Sequence, residues 1–292
     1  MFVFIVLHYM VIEETINCIE NIKKNFLNEN IRIIVVDNNS PNGSGKELQK
    51  QYAADDIVTV LLNPVNAGFA KGNNVGYRYA LENFSPDFII VINNDIQIKQ
   101  KDFLQKIKEI YEKEKFAVLG PDIYSTTLNI HQSPKRLTSC SEEEIRQYIS
   151  IYKKRCESKW ATKIKCYLKR LRFLKRFVYK KRIKSNKIDF KKTYYNVPLH
   201  GSCFIFSKLF MDKRKNAFFE GTFMYYESEI LDYECHRDGL KTMYSPQLQV
   251  FHNHNVSTNA TFKSDIKRTM FMNECIYNSL TAFYGLIRNG QS

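Results

Sequence analysis

Four near-continuous runs of β-branched and other apolar residues pace the first third of this 292-residue chain: FVFIVL at 2–7, IRIIVV at 31–36, IVTVLL at 57–62 and FIIVI at 88–92. Runs without alternation fit strands buried on both faces, as in a parallel sheet. Stretches of helical spacing lie between them, at about 13–28, 45–52 and 72–83, with another at 103–113. Strand–helix alternation at this pitch predicts βαβ units and an α/β, doubly wound, mostly parallel sheet. Further strands are predicted at 201–206 and, as a pair turning at Ser245-Pro246, at 241–244 and 248–251. The tail from about 264 to 287 has helical spacing and stops near Asn289-Gly290.

Ligands of such sheets bind beyond the carboxyl ends of the strands. The residues there read His8-Tyr9, Asp37-Asn38-Asn39-Ser40, Asn63-Pro64-Val65-Asn66-Ala67-Gly68 and Asn93-Asn94-Asp95. Four polar strand ends make a candidate site where one alone would be an ordinary loop. The apolar start meets His8 and then Glu13 and Glu14, and is read as a buried strand, not a leader. Seven cysteines form no C-x-x-C pair, which suits free thiols in a reducing cytoplasm.

Each motif has a chemical and a structural reading. Asp37 can accept from a base N–H or a ribose hydroxyl, or close an Asx-type turn on its own backbone. The stretch from Asn66 to Gly76, NAGFAKGNNVG, enters a helix; its backbone N–H groups and Lys71 suit phosphate. It fits neither G-x-G-x-x-G nor the P-loop pattern. Asp95 follows a buried strand and suits a divalent cation already bound to a diphosphate, or merely opens a loop. Glu227 and Glu229 follow an aromatic run, FEGTFMYY at 219–226; they are general-base candidates or helix-dipole partners. His252 and His254 lie at i and i+2 after an apolar strand, too few ligands for a zinc site but enough for one imidazole beside a carboxylate.

In this order the features resemble the family 2 glycosyltransferases of the GT-A fold. The resemblance rests on V-V-D-N-x-S, N-x-G-F-A-x-G-N-N, N-x-D, G-S-C-F, the acidic F-M-Y-Y-E element and the strand ending V-F-H, and runs from Phe2 to about Thr258. It implies an inverting transfer from a UDP- or dTDP-sugar to an acceptor hydroxyl of a glycan or lipid-linked glycan. It further implies a bacterial surface-polysaccharide type, with a lean to rhamnose. Asp37 would hold the nucleoside; His8, Asn39, Asn66, Gly68, Lys71, Asn73 and Asn94 would complete the donor pocket. Asp95 and His252 would ligate Mg²⁺ or Mn²⁺, and Glu227 or Glu229 would be the base. Two positions depart from the family pattern: Asn93 replaces the first acid of D-x-D, and Ser228 stands where the usual base lies. A sugar nucleotidyltransferase is disfavoured, because no glycine-rich triphosphate loop follows the first strand.

The net charge of +14 has one source. Residues 153–192 hold 18 Lys or Arg against Glu157 and Asp189, a local +16, so the remainder is near −2. Within 163–184, Ile164, Tyr167, Leu168, Leu171, Leu174 and Val178 form one helical stripe among basic residues. Such a helix suits an anionic membrane surface, placing the protein on the inner face of the cell membrane. The alternative is a stripe packed on the domain or on a second subunit. Nucleic acid is not the expected partner, since no base-reading module accompanies the charge. The expected organisation is one GT-A domain: a donor half at 1–121, the basic helical insertion at 122–195, and an acceptor half at 196–292 ending in a helix. The rival class is a non-catalytic binding protein on the same scaffold, recruiting membrane or nucleic acid.

Overall fold

The computed structural model describes residues 1–158, 160, 188–252 and 264–290. The predicted basic helix at 163–184 and His254 lie outside the described residues. The chain alternates as expected: β1 (Phe2–His8), α1 (Ile12–Phe26), β2 (Ile31–Asp37), α2 (Ser44–Gln51), β3 (Val58–Leu62), α3 (Gly68–Asn83), β4 (Phe88–Asn93), β5 (Ile96–Gln97) and α4 (Phe103–Glu114). Then come β6 (Val118–Ser125), β7 (Ile130–His131), α5 (Glu142–Glu157), β8 (Tyr194–Tyr195), β9 (Cys203–Ser207), α6 (Lys208–Met211), α7 (Glu227–Arg237), β10 (Thr242–His252) and α8 (Asp265–Asn289).

One sheet carries the order β3-β2-β1-β4-β9-β6-β10-β5. Strands β3, β2, β1 and β4 run parallel, β9 runs against both β4 and β6, and β6 and β10 are parallel again. The central strands are dry on both faces, which is why their sequences do not alternate. Phe2, Phe4 and Val6 pack into the layer with α1 and α4, whereas Val3 and Ile5 face the layer with α3. A smaller core joins Ile145 of α5 and Ile230 of α7 to Leu280 and Phe283 of α8.

Two strand expectations change. β3 is the sheet's edge, and beyond Val58 its residues are only partly covered, so it is not buried on both faces. Residues 241–251 are not a strand pair turning at Ser245-Pro246. Residues 242–251 belong to one strand, β10, whose register against β6 shifts between Ser245 and Gln249. Both halves pair with the same neighbour in the same direction, and the bulge lets Pro246, which has no N–H to give, stay out of the ladder. β6 itself runs through positions 121 and 122.

Candidate active site

The polar strand ends converge beyond the carboxyl edge of β1, β2 and β4. His8 is fully buried, its Nδ1 2.7 Å from Thr15 Oγ1 and its Nε2 2.8 Å from Ser44 Oγ. Burial, partly offset by Asp37 with Oδ1 4.0 Å away, pushes the His8 pKa down to about 4, so the ring is neutral. Asp37 is itself buried and accepts from the Ser40 N–H at 3.2 Å and from the Ser40 hydroxyl at 2.5 Å. The Asx-type turn is therefore present, and it sets the carboxylate against the first turn of α2, where Gly45 leaves room for it. Asn39, next to it, is exposed at φ +59°.

Asn38, which the motif reading passed over, is the hub of the glycine loop. Its Nδ2 donates to Asn66 Oδ1 at 2.9 Å and to the Gly68 carbonyl at 3.0 Å. Its Oδ1 accepts from the Ala67 N–H at 3.0 Å and from Asn63 Nδ2 at 3.2 Å. Gly68 sits at φ +78°, where a Cβ would collide with the Phe223 carbonyl. The Phe69 N–H donates to that carbonyl at 2.7 Å. The donor-side loop is thus fastened to the segment leading into α7. Lys71 lies exposed in the first turn of α3. Asn73 is fully buried and donates to the Phe69 carbonyl at 2.9 Å. Asn94 is buried too, donating to Thr15 Oγ1 at 3.0 Å beside His8.

Asp95 and His252, 157 positions apart, meet at the end of the sheet. The antiparallel register sets His252 opposite Ile96, so Asp95 lies alongside it. His252 Nε2 is 3.2 Å from Asp95 Oδ1, a buried oxygen with no hydrogen bond among the described residues. The other ring nitrogen, Nδ1, is 2.7 Å from Gln132 Oε1. An amide oxygen only accepts, so Nδ1 donates to it and Nε2 faces the carboxylate. An imidazole nitrogen this close to a buried carboxylate oxygen has a proton or a cation between them. An oxygen and an imidazole nitrogen so placed fit a divalent ion. Among the described residues no group of three or more His, Cys, Asp or Glu could hold one unaided. His200 stands near, its ring centroid 6.0 Å from that of His252.

Glu227 and Glu229 open α7 but part ways. Glu229 Oε1 accepts from Lys135 Nζ at 2.8 Å, and its Oε2 is buried with no hydrogen bond among the described residues. Glu227 is half-buried, with the Thr222 hydroxyl at 3.4 Å and its own backbone N–H against the carboxyl. Burial pushes its pKa up to about 7, Lys135 opposing the rise and Glu229 adding to it. Ser228 between them is buried. Two left-handed residues, Tyr225 at φ +74° and Tyr226 at φ +67°, precede this turn. Lys135 and Gln132 carry no sequence signal, because what they do depends on partners 94 and 120 residues away. Asn38 did carry one, since it stands inside the V-V-D-N-x-S motif.

Comparison with known proteins fits this geometry. A solved structure of GalNAc-T7 with UDP, GalNAc and Mn²⁺ is similar over 87% of this chain and 44% of its own, with a TM-score of 0.56 and 11% identity. The mannosyltransferase PcManGT of Pyrobaculum calidifontis, solved with GDP-Man and Mn²⁺, is similar over 97% of this chain and 72% of its own (TM-score 0.54, 10% identity). At these identities the likeness shows the fold, a GT-A-type mixed sheet. A curated relative, the low-salt glycan biosynthesis hexosyltransferase Agl10 of Haloferax volcanii, is 28% identical over 102 residues. That match covers 35% of this chain and only 31% of the relative's length. The model of the family described as "Glycosyl transferase family 2" matches residues 3–183, more than half of the chain, and the chain therefore belongs to glycosyltransferase family 2.

Proposed function

We propose that the chain is an inverting glycosyltransferase that moves a sugar from a nucleoside-diphosphate donor to an acceptor hydroxyl. The observation that carries the reading is the meeting of Asp95 and His252 at the carboxyl edge of a nucleotide-type sheet. Glu227, poised to lose its proton near neutrality, adds a base. Asp37 receives the nucleoside, and Asn39, Asn66, Gly68, Lys71, Asn73 and Asn94 shape the donor pocket, with His8 supporting Asp37 from beneath. Asp95 and His252 would hold Mg²⁺ or Mn²⁺, which when bound would neutralise charge on the diphosphate. The Mn²⁺ named with both structural neighbours supports that choice.

Glu227 then takes the acceptor proton, the acceptor oxygen bonds to the anomeric carbon from the opposite face, and the bond to the diphosphate oxygen breaks. The Haloferax relative's description as a hexosyltransferase favours a hexosyl donor; UDP- or dTDP-sugars, with rhamnose among them, are the donors to try first. The acceptor is a glycan or lipid-linked glycan of surface-polysaccharide assembly. Residues 163–184 hold the protein peripherally on the cytoplasmic face of the membrane. No helix among the described residues is long and apolar enough to cross it.

The test is release of nucleoside diphosphate from a panel of UDP- and dTDP-sugars, with and without Mn²⁺, alongside calorimetric titration of UDP and dTDP. Metal-dependent release from one donor, lost in Glu227→Gln when acceptor is present, supports the assignment. Absence of both release and metal-dependent nucleotide binding refutes it, and Asn93 and Ser228 would then mark a lost activity.

A further inference from the structure

The two glutamates of α7 stand at i and i+2, so they leave the helix roughly 200° apart and do not share a face. One acceptor hydroxyl therefore cannot use both. Each meets a different environment. Glu229 lies against Lys135 at 2.8 Å, its side chain about nine-tenths covered. Glu227 has no cation within ion-pair distance among the described residues; its carboxyl meets its own backbone N–H and the Thr222 hydroxyl, the latter at 3.4 Å. Lys135 is held in turn by its own backbone, whose N–H donates to the Pro198 carbonyl at 3.1 Å. Its loop also sends Gln132 to His252 and Arg136 to both oxygens of Glu144 at 2.8 Å.

We propose that Lys135 is a positioning residue that ties up Glu229 in an ion pair and so reserves proton abstraction for Glu227. The inference deepens the transferase reading above and rests on it.

The charges around the pair give the proposal a sign. Glu227 is faced by Lys135 and Glu229, with Tyr225 before it and Cys275 of α8 across from it. Glu229 is faced by Lys135, Tyr226, Cys140 and Asp232. Partial burial lowers the Lys135 pKa, but Glu229 outweighs this and holds it above the usual lysine value. Removing Lys135 takes away the only cation acting on Glu227 among the described residues and raises its pKa. Removing the charge of Glu229 deletes a repelling anion and frees Lys135 for Glu227, so the pKa falls. A residue that merely props up the loop would not produce opposite shifts.

The experiment is a ¹³C-carboxyl NMR titration of glutamate-labelled protein, with Glu227 assigned by Glu227→Gln, on wild type, Lys135→Met, Lys135→Arg and Glu229→Gln. The pH profile of turnover is measured on the same proteins. The expected result is a Glu227 midpoint raised by about one pH unit in Lys135→Met, lowered in Glu229→Gln and restored in Lys135→Arg. The acidic limb of turnover should move with it. A midpoint that stays put, or moves the same way in both variants, overturns the proposal; so does loss of turnover at every pH in Glu229→Gln, which would make Glu229 the base. If the midpoint moves as stated and turnover does not follow, Glu227 is not the base and the proposal is overturned, though the ion pair stands. If wild type neither turns over a donor nor binds nucleotide with metal, the transferase reading fails while the titration still decides the pairing.

Discussion

Gly43 and Gly68 share a φ of +78° at the start of a helix and differ sharply in what surrounds them, which makes them a useful pair for testing the junction between the donor loop and α7. A Cβ at Gly43 would have no atom within 4 Å. Gly43→Ala should therefore cost only the left-handed backbone strain, about 1–2 kcal/mol. At Gly68 the same methyl would overlap the Phe223 carbonyl oxygen and lie 2.8 Å from both the carbonyl carbon and ring Cδ2 of Phe223. The colliding group is backbone, so relief means moving one segment off the other and losing the 2.7 Å bond from the Phe69 N–H. That bond contributes about 1 kcal/mol, and overpacking adds about 1 kcal/mol or more. Gly68→Ala should thus exceed Gly43→Ala by about 2 kcal/mol. In urea this is a midpoint lower by about 0.7 M, taking a slope of roughly 3 kcal/mol per M. Calorimetric titration of UDP with Mn²⁺ should show a loss of about tenfold or more in Gly68→Ala and little change in Gly43→Ala, a factor that corresponds to about 1.4 kcal/mol. Equal midpoints for the two variants would refute the argument, because the Phe223 contact would then carry no energy.

Five more outcomes are expected, four at the site and one in the basic segment. Asp95→Ala should abolish metal-dependent nucleotide binding in the same titration; unchanged binding would remove Asp95 from the metal site. Turnover should rise with pH through about 7, because the Glu227 carboxyl must be ionised to accept a proton; Glu227→Gln should lower turnover by about 10²–10⁴ and spare donor affinity. For His8 the folded pKa of about 4 lies below the ordinary 6.5. The unfolded chain then binds more protons between those values, and stability, intact above pH 6.5, should fall by roughly 3 kcal/mol as the pH drops to 4. Denaturation midpoints read across that window should flatten in His8→Gln; an unchanged slope would assign it to other groups. Reversing the charges in 163–184 should reduce sedimentation with anionic liposomes, and undiminished binding would discard the membrane role.

The buried strands were legible because two-sided burial writes itself as unbroken apolar runs, and the glycine loop because a helix entry needs small residues. β3 misled: its sequence is as apolar as the others, and only the strand order makes it an edge. β10 misled at Ser245-Pro246, a turn signal that the sheet absorbs as a bulge. β5, β7 and β8 are two residues each, too short to show any period. Asp95 and His252 were each visible as a polar residue after an apolar strand, but their pairing came from family resemblance, since nothing in a linear chain says that 95 and 252 adjoin. Gln132 and Lys135 left no trace at all. A polar residue in a loop looks the same whether it meets water or a carboxylate.

Where the backbone is strained bears on why the site has this shape. Among the described residues seven non-glycine positions have positive φ, and four of them, Met10, Asn39, Tyr225 and Tyr226, border the candidate site. Such conformations cost of order 1 kcal/mol each and persist only where surrounding bonds over-determine them. Those bonds are present around β1 and β2. The Met10 N–H donates to Ser40 Oγ at 2.8 Å, and Asn42 Nδ2 donates to the Met10 carbonyl at 2.8 Å. Ser40 in turn holds Asp37. The turn after β1 and the turn after β2 therefore fix each other, with the Asp37 carboxylate between them. At the other side Gly68 and Phe223 fix the approach to Tyr225, Tyr226 and the first turn of α7. A parallel sheet supplies only strand ends, all pointing one way. Bending the chain sharply just past them is what turns side chains from separate strands inward on one volume. The strain at these four positions is the cost of that convergence, and it falls on residues that join the donor side of the cleft to Glu227.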